Sequence, residues 1–582
     1  MATATTPAPP KRRVSAISYE HPAAFWLGVA AVTVGVIMHL PFYFSGRHDC
    51  KMVPKTIPGS PLVKQCYILA GKTPDATMWF GMLLILIGLV ATGYGLFPRL
   101  SEVSRGYVSK IKVRAMDEAK ISPAHVGLLL VMAAAVTIDV IKPTTLAFMI
   151  PGATKEYGLK HPILNPHGLG LKAAYYPLSG ISGTVLGSFI WGWFGDRIGR
   201  RASILLAGII FVAVAVCGAM PWYPANLVVC FIMGLGVGGM LPITFALLSE
   251  TIPARHRGWL MVLIGGDVAG AYIITSWIAS TIAADNRYGW RMLWLISLPT
   301  GLILMLLNRW IPESPRFLLQ HGREEEAKAI MERYGAVVVE GEDSLLRVEK
   351  NVQSRFAQLF SREFAGLAVV LLLFGVGIGI VQYGFQQWIP SNLQKLGFTS
   401  VTSAKILRDS ALVGFPLNFP IAWLYGFWSA RKTIVLMALT TVVALIGFVF
   451  APTSALVHNG QQTTLLYILL IVPIWGISSL TAVVIAYASE VFPTKVRSRG
   501  TGLAAGATKF GGVMILAIVA AAIAAPSIRA TAVFGAVPLV LAIVAITVFG
   551  IETKRKQLER ITAEELHEEI PILSRVRPPD QP

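Results

Sequence analysis

The chain has 582 residues, of which 14% are charged and 54% are hydrophobic, and its mean hydropathy is +0.63. A chain this apolar cannot expose one face of every domain to water, so the composition excludes a soluble protein. The formal net charge of +19 would indicate nucleic-acid binding in a soluble protein, but here the basic residues lie between apolar runs and report membrane topology.

Fourteen apolar runs follow one another along the chain, each about 20 residues long, the length that crosses roughly 30 Å of hydrocarbon as a helix. The first run is longer than a signal-peptide core and leads into a loop, so it is predicted to be retained. The predicted fold class is an all-α polytopic membrane protein with fourteen transmembrane helices, near residues 24–44, 78–97, 125–151, 173–194, 203–220, 225–248, 259–283, 290–311, 364–388, 409–428, 432–451, 464–487, 500–524 and 529–550.

Basic residues are concentrated on one side of this topology. An even number of spans places both termini on the same side, and the opposite loops near 221–224 and 452–463 contain neither lysine nor arginine. The positive-inside rule therefore predicts cytoplasmic termini in a cell inner (plasma) membrane. The basic side contains Lys11, Arg12, Arg13, Arg99, Arg105, Lys110, Lys112, Arg114, Lys120, Arg197, Arg200, Arg201, Lys554 and Lys556.

The loop between the first two spans, residues 45–77, is external in this scheme and yet is basic, with Arg47, Lys51, Lys55, Lys64 and Lys72. It also holds Cys50 and Cys66, which would lie in an oxidising compartment, so a disulfide between them is one reading and two free thiols the other. Cys217 and Cys230 fall within or beside apolar runs, where cysteine behaves as a small hydrophobic residue. No Cys/His spacing indicates a metal site.

The third span is interrupted by an aspartate and a lysine, in the stretch "TIDVIKPTTL" (137–146). Asp139 lies roughly 20 Å from the helix start at His125, past the bilayer midpoint, where a charge is costly unless it is paired or faces a cavity. Lys142 is three residues further on, so the two side chains can meet. Pro143 removes the N–H that would bond the Asp139 carbonyl, which predicts a locally opened helix along a water-filled path. An ion pair that only eases insertion is the alternative.

Two cytoplasmic motifs recur and divide the chain. "SETIPARHRG" (249–258) returns as "SEVFPTKVRSRG" (489–500), and "GWFGDRIGRR" (192–201) has a weaker echo in "WLYGFWSARK" (423–432), with Phe427 and Trp428 where Asp-Arg would align. The predicted organisation is a tail (1–23), an extra hairpin (24–97), a basic linker (98–123), a six-helix bundle (124–311), a helical cytoplasmic linker (312–363), a second bundle (364–551) and a tail (552–582).

These motifs together resemble the major facilitator superfamily, and in particular its sugar-porter and metabolite:proton symporter branches. The resemblance covers about residues 125–561 and includes "PESPRFLLQHGR" (312–323), "ASEVFPTKVRSRGTG" (488–502) and "ETKRKQLERI" (552–561). It implies two bundles that alternate access to a central cavity, usually driven by a proton gradient. The two leading helices lie outside the family pattern, and "IETKR" (551–555) departs from the "PETKG" of sugar porters.

A cytoplasmic gate is predicted from the ordered glycines and charges of the repeated motifs. Glycines permit close backbone approach, and carboxylates paired with guanidinium groups can hold one conformation until the halves rock. Ordinary positive-inside charge is the alternative. The predicted gate residues are Gly195, Asp196, Arg197, Gly199, Arg200, Arg201, Glu250, Arg255, Arg257, Glu490, Arg497 and Arg499, with Lys495 beside them.

Further polar residues are predicted to line the cavity. In the sugar-porter branch, glutamines on the first helix of the second half contact substrate, which the resemblance carries over to Gln382, Tyr383, Gln386 and Gln387. Asp267 is a second candidate for proton coupling and Asn418 a further candidate for substrate binding. Lys509 is an isolated charge near a helix end, from which it can snorkel to the interface. Hydrogen bonds between helices are the alternative for all of these polar side chains.

Nucleotide sites are not indicated. "GLGVGG" (234–239) fits a dinucleotide fingerprint but lies inside a span and follows no strand, and "AGKT" (70–73) has Cys66 where a phosphate loop needs glycine. No cofactor is expected, and the driving force would be a proton gradient. The expected partners are a small-molecule substrate and the lipid bilayer, not nucleic acid or nucleotide, and the oligomeric state is open.

The leading hypothesis is a symporter that moves a small organic anion, such as an aromatic or other carboxylate, together with a proton. Asp139 would carry the proton, and Lys142 would bind the anion when the aspartate is protonated. A sugar or polyol porter, a drug-type efflux protein and a non-transporting membrane sensor are the alternatives.

Cys50 and Cys66 are expected to be disulfide-bonded in the native membrane because they share one external loop. A mass-tagged maleimide should add to this loop only after reduction. Equal labelling before and after reduction would show that both thiols are free.

Overall fold

The computed structural model describes most of the chain: residues 21–46, 51–54, 62–65, 69–97, 114–160, 165, 167–266, 268–283, 289–337, 355–395, 397–451, 457–458, 461–462, 464–521, 528–554, 556, 558 and 561–562. Fourteen long helices account for most of it. They are α1 (Pro22–Phe44), α2 (Ala76–Leu96), α3 (Pro123–Glu156), α4 (Tyr175–Ile198), α5 (Arg200–Ala219), α6 (Tyr223–Thr251), α7 (Ala254–Thr281), α8 (Gly289–Trp310), α9 (Ala365–Trp388), α10 (Val401–Trp428), α11 (Ala430–Phe450), α12 (Thr464–Val491), α13 (Arg497–Ala521) and α14 (Ile528–Phe549).

Thirteen of these helices are long and apolar enough to cross a membrane among the described residues. The remaining one, α4, has 24 residues, which span about 36 Å at 1.5 Å per residue. It is less apolar because glycine, serine and the Asp196-Arg197 pair interrupt its sequence. The predicted all-α polytopic fold is confirmed, and each predicted run corresponds to one helix.

Local sequence signals explain several helix ends. The Asp75 carboxylate accepts a hydrogen bond from the Met78 N–H (2.8 Å) at the start of α2, and the Ser429 hydroxyl accepts one from Lys432 N–H (3.1 Å) at the start of α11. The α3 helix begins with Pro123 in its first turn, after a Ser122 cap. These caps satisfy amide groups that no preceding turn can bond.

Short elements occupy the connections. Three two-stranded sheets lie in loops on one face of the molecule: β1 (Lys51–Pro54) with β2 (Leu62–Gln65) antiparallel, β3 (Leu159–Lys160) with β4 (Leu169–Lys172) parallel, and β5 (Val457–His458) with β6 (Gln461–Gln462) antiparallel. The other face carries the short helices Arg114–Asp117, Pro315–Gln320 and Glu324–Arg333 and the 3₁₀ turn Phe356–Phe360. A further short helix, Ile389–Lys395, follows α9. We call the face that holds the turn 195–201 the basic face.

Two six-helix bundles, α3–α8 and α9–α14, pack against each other. The contacts between them run along α4 with α13 and along α7 with α10. Glycines let α4 and α13 approach closely, since a Cβ on Gly192 would meet the Ser498 carbonyl oxygen at 2.8 Å. The two seams leave space between the bundles at the centre of the molecule.

The helices α1 and α2 form a hairpin whose glycines recur every seven residues. Gly28 and Gly35 of α1 face Gly88 and Gly81 of α2, and Gly95 lies against the backbone of Phe25. A side chain at any of these positions would collide with the facing helix, so the two helices are packed backbone to backbone. The hairpin lies against α5.

The loop that joins α1 and α2 is hydrogen-bonded to the first bundle. The Glu156 carboxylate, at the end of α3, accepts hydrogen bonds from the backbone N–H groups of Leu69 (2.9 Å) and Ala70 (3.2 Å). The same carboxylate pairs with Arg291 at 2.9 Å, and Gly71 N–H donates to the Pro221 carbonyl at 3.0 Å. The hairpin is therefore attached to the first bundle through both its helices and its loop.

Candidate functional site

Two adjoining cavities lie between the bundles. The empty space within them is about 350 and 410 Å³, part of which is open to solvent. Three residues line both: Pro143, Gln382 and Tyr383. The first cavity, which we call the amide lobe, is also lined by Thr144, Ala147, Tyr272, Gln386, Gln387 and Ser478. The second, the charged lobe, is also lined by Asp139, Val140, Leu241, Thr481, Ile485, Ala505, Thr508 and Lys509.

The charged lobe brings together one carboxylate and one ammonium group from opposite bundles. Asp139 of α3 is 3% exposed and Lys509 of α13 is 5% exposed, and their charges attract each other across the lobe. Lys509 Nζ also lies 3.4 Å from both the Ser188 hydroxyl and the Gly238 carbonyl of the first bundle. The Asp139 Oδ1 atom has no hydrogen-bond partner among the described residues. Lys509 therefore faces the cavity. The expectation that it snorkels to the interface, based on its position near a helix end, is wrong.

Lys142 lies elsewhere, so the predicted contact with Asp139 is wrong. Its ammonium group donates to the backbone carbonyls of Leu293 (3.3 Å) and Trp294 (3.0 Å) and lies 4.7 Å from the Trp294 ring centroid. It lines neither lobe. Helical spacing allows residues three apart to meet, but here Asp139 faces the second bundle while Lys142 faces α8 of its own bundle.

The α3 helix continues through Pro143, so the predicted opening of the helix is also wrong. Pro143 still leaves the Asp139 carbonyl without its usual helical donor. On the following turn, Thr144 donates its hydroxyl proton to the Val140 carbonyl at 2.8 Å, and Thr145 donates to the Ile141 carbonyl.

The amide lobe depends on a wide turn in α9. Residues 381–385 form a π-helical turn, followed by a 3₁₀ turn at 386–388. Gln382, Tyr383, Gln386 and Gln387, which belong to these two turns, all line the amide lobe. Gln387 is 4% exposed, and its Nε2 atom has no hydrogen-bond partner among the described residues. A bound polar molecule would satisfy this donor.

Two other predicted cavity residues are not placed in the site. Asn418 lines neither lobe: its amide donates to the Gly266 carbonyl (3.3 Å) and accepts from the Ser479 hydroxyl (2.8 Å), so it joins α7, α10 and α12. For Asn418 the interpretation as a helix–helix contact is therefore correct. Asp267 lies outside the described residues, as do Cys50 and Cys66.

Buried ion pairs close the basic face between the two bundles. Glu250 of the first bundle pairs with Arg497 of the second at 2.9 Å, and Glu490 of the second lies 3.8 Å from Arg257 of the first. Arg200 reinforces the first pair, at 3.0 Å from Glu250. Each bundle thus offers its glutamate to an arginine of the other, as the repeated motifs require. We call the ion pairs of Asp117, Asp196, Arg200, Glu250, Arg257, Arg316, Glu490, Arg497 and Arg499 the gate network.

Asp196 joins the bundles in a different way. Its carboxylate accepts hydrogen bonds from the backbone N–H groups of Ser498 and Arg499, both at 3.2 Å, at the start of α13. A carboxylate at a helix N-terminus is stabilised by the free amides and by the helix dipole. Gly195 permits the approach, since a Cβ there would meet Ser498 at 3.1 Å.

Gly199 and Glu313 fix the turn that carries the gate. Gly199 has φ +103°, a left-handed conformation that favours glycine, and a Cβ there would collide with the Glu313 carboxylate. Glu313 accepts hydrogen bonds from the N–H groups of Arg200 (2.7 Å) and Arg201 (3.3 Å) at the start of α5. Burial raises the pKa of the Glu313 carboxyl, although these hydrogen bonds and the Arg200 charge act against that shift.

Three of the predicted gate residues differ from the others in the contacts that the structure shows for them. Arg197 is exposed and lies over the Trp193 ring at 5.0 Å, and Arg255 is exposed. Arg201 is buried, but its guanidinium donates to Asn308 (3.3 Å) inside the first bundle. For Arg197 and Arg255 the interpretation as ordinary basic surface charge fits better.

Sequence reasoning missed Asp117, Arg316 and Glu313. Arg316 pairs with Asp117 at 2.8 Å and donates to the Glu250 carbonyl at 2.9 Å. Glu313 and Arg316 belong to "PESPR", a motif quoted for its family likeness but given no contact. Asp117 and its neighbour Glu118 lie near the end of a basic linker, where nothing in the pattern indicates that Asp117 is buried.

The opposite face is closed by apolar packing. Ala174 and Ile181 of the first bundle meet Trp388, Ile515, Leu516, Val519 and Ala520 of the second in one cluster with Tyr383. A polar contact accompanies it, from Lys172 Nζ to the Ala520 carbonyl at 2.6 Å. Both ends of the cavity are thus closed between the bundles, by charge on the basic face and by apolar side chains on the other.

Comparison with known proteins gives consistent matches. The family model described as "Sugar (and other) transporter" matches residues 178–564. The niacin transporter NiaP of Acinetobacter baylyi is 28% identical over 461 residues, which cover 77% of this chain and 99% of that protein. The 4-hydroxybenzoate transporter PcaK of Pseudomonas putida is 26% identical over 395 residues, 65% of this chain and 82% of that protein.

The fold matches a solved structure of the major facilitator superfamily. The proton:xylose symporter XylE, bound to 6-bromo-6-deoxy-D-glucose, superposes with a TM-score of 0.62. Its sequence is 18% identical, and the match covers 75% of this chain and 98% of XylE, a protein of E. coli.

Proposed function

This chain belongs to the sugar (and other) transporter family of the major facilitator superfamily, and on that premise we propose that it transports a small organic anion together with a proton. The observation that carries the proposal is that the carboxylate of Asp139 and the ammonium of Lys509 line the same cavity between the bundles. One group belongs to each bundle, so their attraction depends on how the bundles are arranged.

A proton and an anion act on this pair in opposite senses. When Asp139 is ionised, it neutralises Lys509 and competes with a substrate carboxylate. When Asp139 is protonated, Lys509 becomes a buried cation with weak neutral partners, and an anion binds it favourably. When the anion leaves, Asp139 loses its proton to the same side of the membrane, and the Asp139–Lys509 pair forms again. Symport then follows from local electrostatics. Lys509 binds the anion, a role that the sequence analysis assigned to Lys142.

The amide lobe supports a substrate with a polar group distant from its carboxylate. Gln386, Gln387, Thr144 and Ser478 supply hydrogen-bonding groups, and Tyr272 supplies an aromatic ring. An aromatic carboxylate with a ring nitrogen or hydroxyl group matches a cation in one lobe and these groups in the other. Two relatives bear the names of such compounds, niacin and 4-hydroxybenzoate.

A sugar or polyol is the second candidate substrate. The amides and hydroxyls of the amide lobe suit neutral hydroxyl groups, and the similar XylE structure belongs to a proton:xylose symporter. A neutral sugar gives Lys509 no partner, however, which is why we place the anion first. Uptake into proteoliposomes of aromatic acids, aliphatic acids and sugars, under an imposed pH gradient, decides between them.

The two closures support alternating access, and we propose that it takes place in a cell inner membrane. The gate network would hold the basic face shut while the opposite face opens, and the apolar cluster would do the reverse. Positive charge on the basic face supports a cytoplasmic orientation for it and for both termini.

The Asp196→Asn variant should transport roughly tenfold more slowly at parental membrane levels, because an amide is a weaker partner for the α13 amides and for Arg200. Initial uptake rates in proteoliposomes measure this. Arg255→Gln is the matched control, since Arg255 is an exposed residue of the other cytoplasmic motif of the same bundle, 249–258, and it should keep the parental rate. Equal rates for both variants would show that Asp196 does not gate.

The Asp139→Asn variant should lose proton-driven accumulation but keep substrate counterflow. Counterflow needs a cavity that opens to both sides, whereas accumulation needs net proton movement. Asp409→Asn serves as the control, because that carboxylate is 42% exposed and pairs with Arg408 away from the lobes. If Asp139→Asn accumulates substrate at the parental level with the parental pH dependence, the proton site lies elsewhere, and Asp267 is the next residue to test.

The Lys509→Gln variant should raise the KM for a carboxylate substrate by about tenfold or more, since a charge-assisted hydrogen bond contributes about 1.5–3 kcal/mol. Lys142→Gln should leave the KM near the parental value, because Lys142 bonds to α8 carbonyls outside the lobes. The reverse pattern would return the anion site to Lys142. A KM unchanged in both variants, with sugar as the transported substrate, would favour the sugar porter.

A further inference from the structure

Asp117 lies where the linker that follows the hairpin α1–α2 enters the basic face. It ends the short helix Arg114–Asp117, six residues before α3 begins, and is only 6% exposed. One carboxylate oxygen lies 3.2 Å from the Arg257 guanidinium and the other 2.8 Å from that of Arg316. A single carboxylate thus pairs with two buried arginines of the gate network.

Both arginines reach the groups that close the gate. Arg257 donates to the Lys556 carbonyl at 2.7 Å and faces Glu490 at 3.8 Å, and both of these belong to the second half of the chain. Arg316 donates to the carbonyl of Glu250, the residue whose carboxylate holds Arg497. Asp117 therefore touches the Glu490–Arg257 contact directly and reaches the Glu250–Arg497 contact through Arg316.

The two reciprocal contacts are unequal, and Asp117 lies beside the weaker one. Around Arg497, the Glu250 pair is close and Asp196 and Arg200 add further charge. Around Arg257, the Glu490 pair is longer, and the second copy of the turn motif has Phe427 and Trp428 in place of Asp-Arg. Asp117 supplies the carboxylate that this side of the repeat lacks.

We propose that Asp117 is a positioning residue of the gate, through which the segment bearing the hairpin α1–α2 stabilises the closed basic face. Arg257 and Arg316 are 1% exposed in the closed arrangement, where a cation without a close carboxylate is costly. When the basic face opens, water reaches the same cations and the carboxylate matters less. Loss of Asp117 therefore penalises the closed state more than the open one. The argument rests on alternating access alone and is independent of substrate and proton.

Amide hydrogen exchange of the full-length protein in lipid nanodiscs tests this. In Asp117→Asn, residues 493–500 on the basic face should exchange at least about fivefold faster, because breaking a buried pair is strongly unfavourable to the state that buries it. Residues 173–181 on the opposite face should exchange more slowly, since that face spends less time open. Glu118→Gln, the exposed neighbouring carboxylate, should leave both segments at parental rates.

Two further variants separate charge compensation from packing. Asp117→Glu keeps the carboxylate and should restore protection of residues 493–500. The double variant Asp117→Asn with Arg316→Gln removes one charge of each sign and should exchange more slowly there than Asp117→Asn alone. Parental exchange in Asp117→Asn overturns the proposal, and so does faster exchange at both faces, which indicates general loosening. A double variant that exchanges faster than the single one also overturns it.

Discussion

The cost of burying charge without a partner is the constraint on which this structure depends. The described arginines of the gate network are almost wholly buried, and each lies against a carboxylate. Such pairs contribute little when compared with apolar packing, but breaking one leaves a buried ion. The network therefore fixes how the two bundles meet: Arg497 requires Glu250 of the other bundle, and only one relative position of the bundles provides it.

The same constraint explains why the cavity and the gates differ in chemistry. In the gate network, Arg200, Arg257, Arg316 and Arg497 each meet a carboxylate at 2.8–3.2 Å. In the charged lobe, Lys509 has two neutral neighbours at 3.4 Å and one facing carboxylate. A site that must exchange its partners cannot hold them as tightly as a closure must. The opposite face uses apolar contacts, which form without matching charge and do not depend on protonation.

Much of the fold follows from the sequence, because the length and hydropathy of each run are local properties. The run at 464–487, for example, is the helix Thr464–Val491. The contacts of Asp139 do not follow from the sequence. Spacing on one helix offered Lys142, whereas the partner that faces it, Lys509, lies 370 positions further along the chain and is set by how the bundles dock. The π turn in α9 and the burial of Asp117 are likewise results of tertiary packing, and the strand pairs are too short to leave a periodic pattern.

The hairpin on α5 changes what the bilayer itself can act upon. In the apolar segment of α5, 89% of the residues are buried in the protein. In that of α11 only 50% are buried, although α11 follows the corresponding turn motif in the second half. Hydrophobic mismatch acts on helices that touch lipid. Mismatch with a thicker or thinner membrane therefore acts directly on α11, whereas on α5 it acts only through α1 and α2. A change in bilayer thickness therefore acts unequally on the two bundles. The second bundle, which has no hairpin, is more directly affected.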